Sequence, residues 1–186
     1  MNSELLLQHL IEQSRTILNQ AEKLKGLDKE VQTWRPDDTS WNILECIEHL
    51  NRYGDFYLPQ IDIQIRNSTT NPESEFKSGL LGAYFAKSML PKEDMLKMPA
   101  FKSKNPIHSY VDVLVIEKFI HQQMQLLNLL NESRKVSLNK VKVKTTLSGW
   151  LTINLGDTFQ FFIHHNVRHM KQMERLLEAM KYVGNS

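Results

Sequence analysis

The sequence predicts an all-α fold: a four-helix bundle of up-down-down-up order, with a long crossover between the second and third helices. Three observations lead there. Four long segments repeat apolar side chains at helical spacing. The stretch joining the second to the third, residues 67–106, is far longer than helix connections usually are. A length of 186 residues with 41% hydrophobic content suits one core, so residues 1–186 are read as a single domain.

The first helix is expected over residues 3–24, where Leu6, Leu10, Ile17, Leu18, Ala21 and Leu24 stack along one face and Gly26 supplies a stop. After the loop Trp34-Arg35-Pro36-Asp37-Asp38-Thr39, Ser40 is the expected cap of the second helix, whose stripe is Ile43, Ile47, Leu50, Tyr57 and Ile61. Pro59, which lacks an amide proton, should kink that helix or end its regular part. The crossover holds Pro72, Pro91, Pro99 and Pro106 and is long enough to retrace a helix of about 40 Å, so that helices two and three run parallel. The third helix is expected over residues 109–132. Val111 to Ile116 alone reads as a strand, but Phe119, Ile120, Met124, Leu127 and Leu130 carry the pattern well past strand length. Lys140-Val141-Lys142-Val143-Lys144 alternates as a short ribbon or extended edge with solvated lysines would. The fourth helix, residues 155–180, gathers Leu155, Phe159, Phe162, Met173, Leu177 and Met180 in one arc.

Charge and composition narrow the function classes. Lys and Arg number 23 against 21 Asp and Glu, a net charge of +2, which is no surface for gripping a phosphate backbone. Nucleic acid is excluded as the expected partner. No apolar run reaches the roughly 18 to 20 residues that cross a bilayer, so no membrane span is expected. The single cysteine, Cys46, makes no internal disulfide, and the first 19 residues mix Leu with Glu, Gln, Arg and His where a secretory segment would be apolar. A cytoplasmic protein is the expectation, and a homodimer is the commonest oligomer open to it.

The chemistry rests on seven histidines: His9, His49, His108, His121, His164, His165 and His169. His165 and His169 stand four apart on the last helix, so both imidazoles can be aimed at one metal ion. On a wheel of about 100° per residue, His169 lies roughly 55° and His165 roughly 95° from the centre of the apolar face. His164 falls almost opposite and reads as solvated. A catalytic metal wants a third protein ligand and an open position. The best donor on helix two is His49, roughly 120° from its stripe centre and so either a ligand reached from the flank or a surface residue. Cys46 is the runner-up, although a lone helix cysteine is more often a small buried hydrophobe. Gln172, Asn166, Thr158 and Tyr53 are the polar neighbours spaced to orient these rings or line the pocket. Trp34, Trp41 and Trp150 are expected to pack at the bundle ends or frame a pocket mouth.

Trp34-Arg35-Pro36, Ser40-Trp41, Glu48-His49-Leu50, the long middle connection, a Gly149 turn and above all the His165-x-x-x-His169-x-x-Gln172 arrangement carry a resemblance over nearly the whole chain. The chain resembles the DinB/YfiT-like superfamily of metal-dependent enzymes. That resemblance implies an up-down-down-up bundle holding a divalent metal ion, zinc or nickel foremost, on His49, His165 and His169. Three neutral imidazoles would leave the ion its double charge and an open corner, where a small thiol or a water becomes a nucleophile near neutral pH. Relatives that transfer low-molecular-weight thiols imply a thiol S-transferase acting on a small-molecule substrate; a hydrolase is the other enzymatic reading, and a non-catalytic metal- or small-molecule-binding module the alternative to both. A zincin-type peptidase is excluded, because Asn166 stands where H-E-x-x-H has its glutamate.

Overall fold

A computed structural model of the chain describes residues 1–90, 104–146 and 148–184. The described residues are mostly helical, 67% of them, and form six α-helices and one two-stranded sheet.

Helix α1 (Ser3–Lys25) opens on Asn2, whose side chain accepts the Leu5 amide proton, and stops at Gly26. A single turn, α2 (Lys29–Thr33), follows and was not expected from periodicity. Helix α3 (Ile43–Arg66) is capped by Asn42 and not by Ser40: Asn42 Oδ1 accepts the Glu45 amide proton and Glu45 Oε2 accepts the Asn42 amide proton, each at 2.9 Å. This reciprocal box satisfies two helix-start donors at once, which a lone serine hydroxyl cannot. Ser40 instead donates to Asp37. Pro59 lies inside α3, which continues to Arg66.

The crossover holds a helix of its own, α4 (Leu80–Ser88); its residues 91–103, with Pro91 and Pro99, lie outside the described residues. Helix α5 (Leu114–Glu132) starts five residues later than expected. The Asp112 carboxylate accepts the Leu114 amide proton at 2.8 Å, a local bond that competes with helix and leaves Val111-Asp112-Val113 outside it. The lysine-valine run forms β1 (Lys142–Thr145), antiparallel to β2 (Ser148–Asn154) with Val143 opposite Ile153. Val143 is buried, and Lys142 and Lys144 are exposed. Gly149 belongs to strand β2 and makes no turn before the last helix, α6 (Leu155–Gly184).

Helices α1 and α3 each pack against both α5 and α6. Leu10, Ile17, Ile47, Leu50, Ile61, Phe119, Phe159 and Phe162 fill the space between them, each at most 1% exposed. The hairpin is tied to α3 where Tyr57 Oη accepts the Thr146 amide proton at 3.2 Å.

Helix α4 lies on the outer side of α6 and is held at both ends. At its start the buried Asp157 carboxylate accepts the Gly79 amide proton at 2.9 Å and the Ser78 hydroxyl. At its end His164 Nδ1 donates to the Ala86 carbonyl and Arg168 to the Ser88 carbonyl, both at 3.0 Å. An acid at the start and a cation at the end also complement the helix dipole. His164 is therefore half-buried beneath α4 and not solvated, because the wheel could not foresee a helix packed on the bundle's outer face. Gly82 makes the close approach possible: a Cβ there would stand 2.2 Å from Asp157 Oδ2. Among the described residues no helix is long and apolar enough to cross a membrane.

Candidate metal centre

Three imidazoles meet between α3 and α6: His49 from the first and His165 and His169, one turn apart, from the second. All three are buried. His165 Nε2 lies 3.2 Å from Nε2 of His49 and 3.2 Å from Nε2 of His169, and the three candidate donor atoms fall within 4.8 Å of one another. Four ligands at zinc–nitrogen distances of 2.0–2.1 Å in a tetrahedron stand about 3.3 to 3.4 Å apart, so both short separations suit a shared ion.

The outward ring nitrogens decide what the inward ones offer. His49 Nδ1 sits 2.7 Å from the Lys104 carbonyl oxygen, which only accepts, so Nδ1 carries the proton and Nε2 is a bare lone pair. His169 Nδ1 donates to Gln172 Oε1 at 2.9 Å, with the same result. One proton on His165 Nε2 can point at only one of those lone pairs, and the buried Nδ1 of His165 has no hydrogen-bond partner. A cation among the three nitrogens answers every lone pair at once. The donor set thus fits a divalent metal, as does the protonation state: burial drives His49 down to about 4 from its ordinary value and holds His165 and His169 well below theirs. Neutral imidazoles are the ligating form. Arg52, Lys104 and Arg168 add a smaller push in the same direction.

Aromatic rings wall the cluster. The Trp41 ring centroid is 4.8 Å from that of His49 and 5.9 Å from that of His169, nearly parallel to the latter. Tyr53 lies 4.4 Å from His165 and 5.0 Å from His49, with Lys104 Nζ over its ring and its hydroxyl pushed up to about 12 by burial. Phe161 stacks on His165.

Of the polar residues picked from helical spacing, Gln172 orients His169 and Tyr53 packs on the cluster. Thr158 does neither: its hydroxyl donates to the carbonyl of Asn154, the last residue of β2, just ahead of α6. Asn166 is fully buried, and neither side-chain amide atom has a hydrogen-bond partner. Cys46 is buried with its thiol pushed up by desolvation and takes no part in the cluster. Trp150, expected at a bundle end, is 85% exposed on β2. His9, His108 and His121 are exposed. Trp41, expected at a bundle end or a pocket mouth, packs on the cluster. Phe161 and the Lys104 carbonyl are the contributors that spacing did not reveal, and a backbone oxygen leaves no mark in a sequence.

A profile of the DinB superfamily matches residues 10–173, a span that contains all three histidines. No curated protein and no solved structure matches the chain.

Proposed function

The chain belongs to the DinB superfamily, and from that premise we propose that it is a metal-dependent enzyme in which His49, His165 and His169 hold a divalent ion, zinc or nickel, that activates a small thiol for transfer to an electrophilic small molecule. The observation that carries this reading is the convergence of three buried imidazoles, two of which, His49 and His169, are held by outward partners so that their inward nitrogens are bare lone pairs facing His165 Nε2. A bound divalent ion supplies a thiolate, or a hydroxide, at neutral pH. Asn166 speaks against one hydrolytic reading, the zincin-type peptidase, whose H-E-x-x-H helix keeps a glutamate in that place to move protons, because an amide moves none. Around the ion, Lys104 and Gln172 fix two ring tautomers, while Trp41, Tyr53 and Phe161 exclude water and strengthen the charge of the site.

We propose further that the four long helices run up-down-down-up in one domain. Lys25 at the end of α1 pairs with Glu117 at the start of α5, and Glu4 at the start of α1 pairs with Arg134 in the turn just past the end of α5, which supports an antiparallel pair. Asn51 with Val115 and Asp55 with Lys118 advance together along α3 and α5, which supports a parallel one. His49 against His165 and Tyr57 against Phe161 run in opposite senses on α3 and α6. Two neighbouring clefts between α1 and α6, one lined by His9 to Gln20 and Val167 to Glu174 and the next by Gln20 to Leu24 and Met170 to Leu177, advance in the same sense on both helices, which supports a parallel pair.

The test is zinc- or nickel-loaded protein with a small thiol and a chromogenic electrophile. Thiol consumption above the uncatalysed rate, abolished by chelation and by His165→Ala, is the expected result. Stoichiometric metal binding with no turnover of thiols, esters or amides would leave a metal-binding module and overturn the enzymatic reading.

A further inference from the structure

His49 stands apart from its two partners in how it is held. His169 is oriented by a side chain on its own helix, three residues away. The acceptor for His49 comes from 55 residues further along the chain, at the far end of the crossover. Residues 104–108 lie against one side of α3 and its entry: Lys104 meets His49 and Arg52, Asn105 meets Trp41 and Arg52, and His108 meets Glu45. Trp41 Nε1 donates to Asn105 Oδ1 at 3.0 Å, and the His108 amide donates to Glu45 Oε1 at 2.7 Å. Lys104 Nζ donates to the Arg52 carbonyl at 2.8 Å, and Arg52 returns a weaker bond of 3.4 Å to the Asn105 carbonyl.

Within the strap, Asn105 Oδ1 also accepts the Ile107 amide proton at 3.1 Å, so one side-chain oxygen both shapes the turn and anchors it. His108 has φ of 57°, a left-handed conformation that a non-glycine residue adopts only when its surroundings hold it there. Here the buried Glu45 carboxylate does the holding, itself paired with Arg35 at 3.1 Å. Five residues are thus clamped at both ends and at the middle, and the one carbonyl among them that meets the metal cluster is that of Lys104.

We propose that residues 104–108 are a positioning strap for the metal centre: by pinning the Lys104 carbonyl against His49 Nδ1 they fix the tautomer that leaves His49 Nε2 free to ligate, and Asn105 is the positioning residue that seats them. The inference rests on the metal reading above. A neutral imidazole without such an acceptor divides between two tautomers, one of which places its proton where the metal must bind.

Nitrogen-15 NMR of the metal-free protein at pH 7.5, together with competitive zinc titration, tests it. In the wild-type chain His49 and His169 are both expected as the Nδ1–H tautomer. Asn105→Ala should convert His49 to a mixture while His169, held by Gln172, stays unchanged, and should weaken zinc about 10- to 100-fold. Asn105→Asp keeps an acceptor for Trp41 and Ile107 and should restore both readings. A folded Asn105→Ala protein with His49 still wholly Nδ1–H and wild-type zinc affinity overturns the proposal. If that variant fails to fold, Lys104→Met, which loses the ammonium grip on the Arg52 carbonyl and keeps the backbone carbonyl, is read by the same criteria. Wild-type protein that takes up no zinc would sink the metal reading, while the tautomer comparison would still decide whether the strap orients His49.

Discussion

At the scale of the residue, burial and charge give His49 a measurable signature. Its imidazole titrates at about 4 in the folded chain, because burial penalises the charged ring more than the Lys104 carbonyl favours it. In the unfolded chain it takes up a proton below its ordinary value of about 6.5. Between those values the unfolded state binds more protons than the folded state, so stability rises with pH across the window and is lost as pH falls from about 6.5 toward 4. For His49 alone the loss between pH 7 and pH 5 is about 2 kcal/mol, and His165 and His169, shifted in the same direction, deepen it. Urea denaturation of metal-free protein at the two pH values measures the effect, and His49→Gln should make it shallower. Equal stability at pH 7 and pH 5 would mean that the histidines are not buried neutral.

At the scale of the element, the weight falls on α4, whose seat on α6 depends on one missing side chain. Replacing an exposed helix glycine by alanine normally stabilises by up to about 1 kcal/mol. At Gly82 the new methyl group would meet Asp157 Oδ2 at 2.2 Å, and that carboxylate is not free to move because Ser78 and the Gly79 amide hold it. Gly82→Ala is therefore expected to destabilise by about 1 to 3 kcal/mol, the usual range for overpacking. The Gly79 amide, released from Asp157, should exchange with solvent faster. A urea midpoint at or above that of the wild type would show that α4 is not pressed against Asp157. This helix was illegible in the sequence for a physical reason. Leu80-Leu81-Gly82-Ala83-Tyr84-Phe85 has apolar residues all round, with Leu80, Leu81 and Tyr84 exposed, so no period marks a buried face. Strand β2 was hidden differently: its pairing of Ile153 with Val143 has meaning only beside β1, whereas the longer periodic run beginning at Leu155 dominates the reading of that region.

At the scale of the whole molecule, what was legible is what has a long period. The long helices announce themselves through apolar stripes such as Leu10-Ile17-Ala21-Leu24, and the pair His165 and His169 through one helical turn. His49 was not legible from its wheel position, some 120° off the stripe, because the crossover returns to cover that flank of α3. The same geometry has a thermodynamic consequence. The candidate ligands come from two helices, α3 and α6, that each pack on α1 or α5 as well, so an ion held by them would bind the native state and not the unfolded chain. Such a ligand stabilises by mass action, by about 4 kcal/mol at a free concentration one thousand times its dissociation constant. Differential scanning calorimetry of the metal-free protein should show one cooperative transition with equal calorimetric and van 't Hoff enthalpies if the chain is the single domain proposed above. Zinc should move that whole transition upward in a concentration-dependent way, and His165→Ala should abolish the movement. Two resolved transitions, only one of them responsive to zinc, would show instead that the metal cluster belongs to a subregion that folds by itself; an upward shift retained in His165→Ala would place the ion elsewhere.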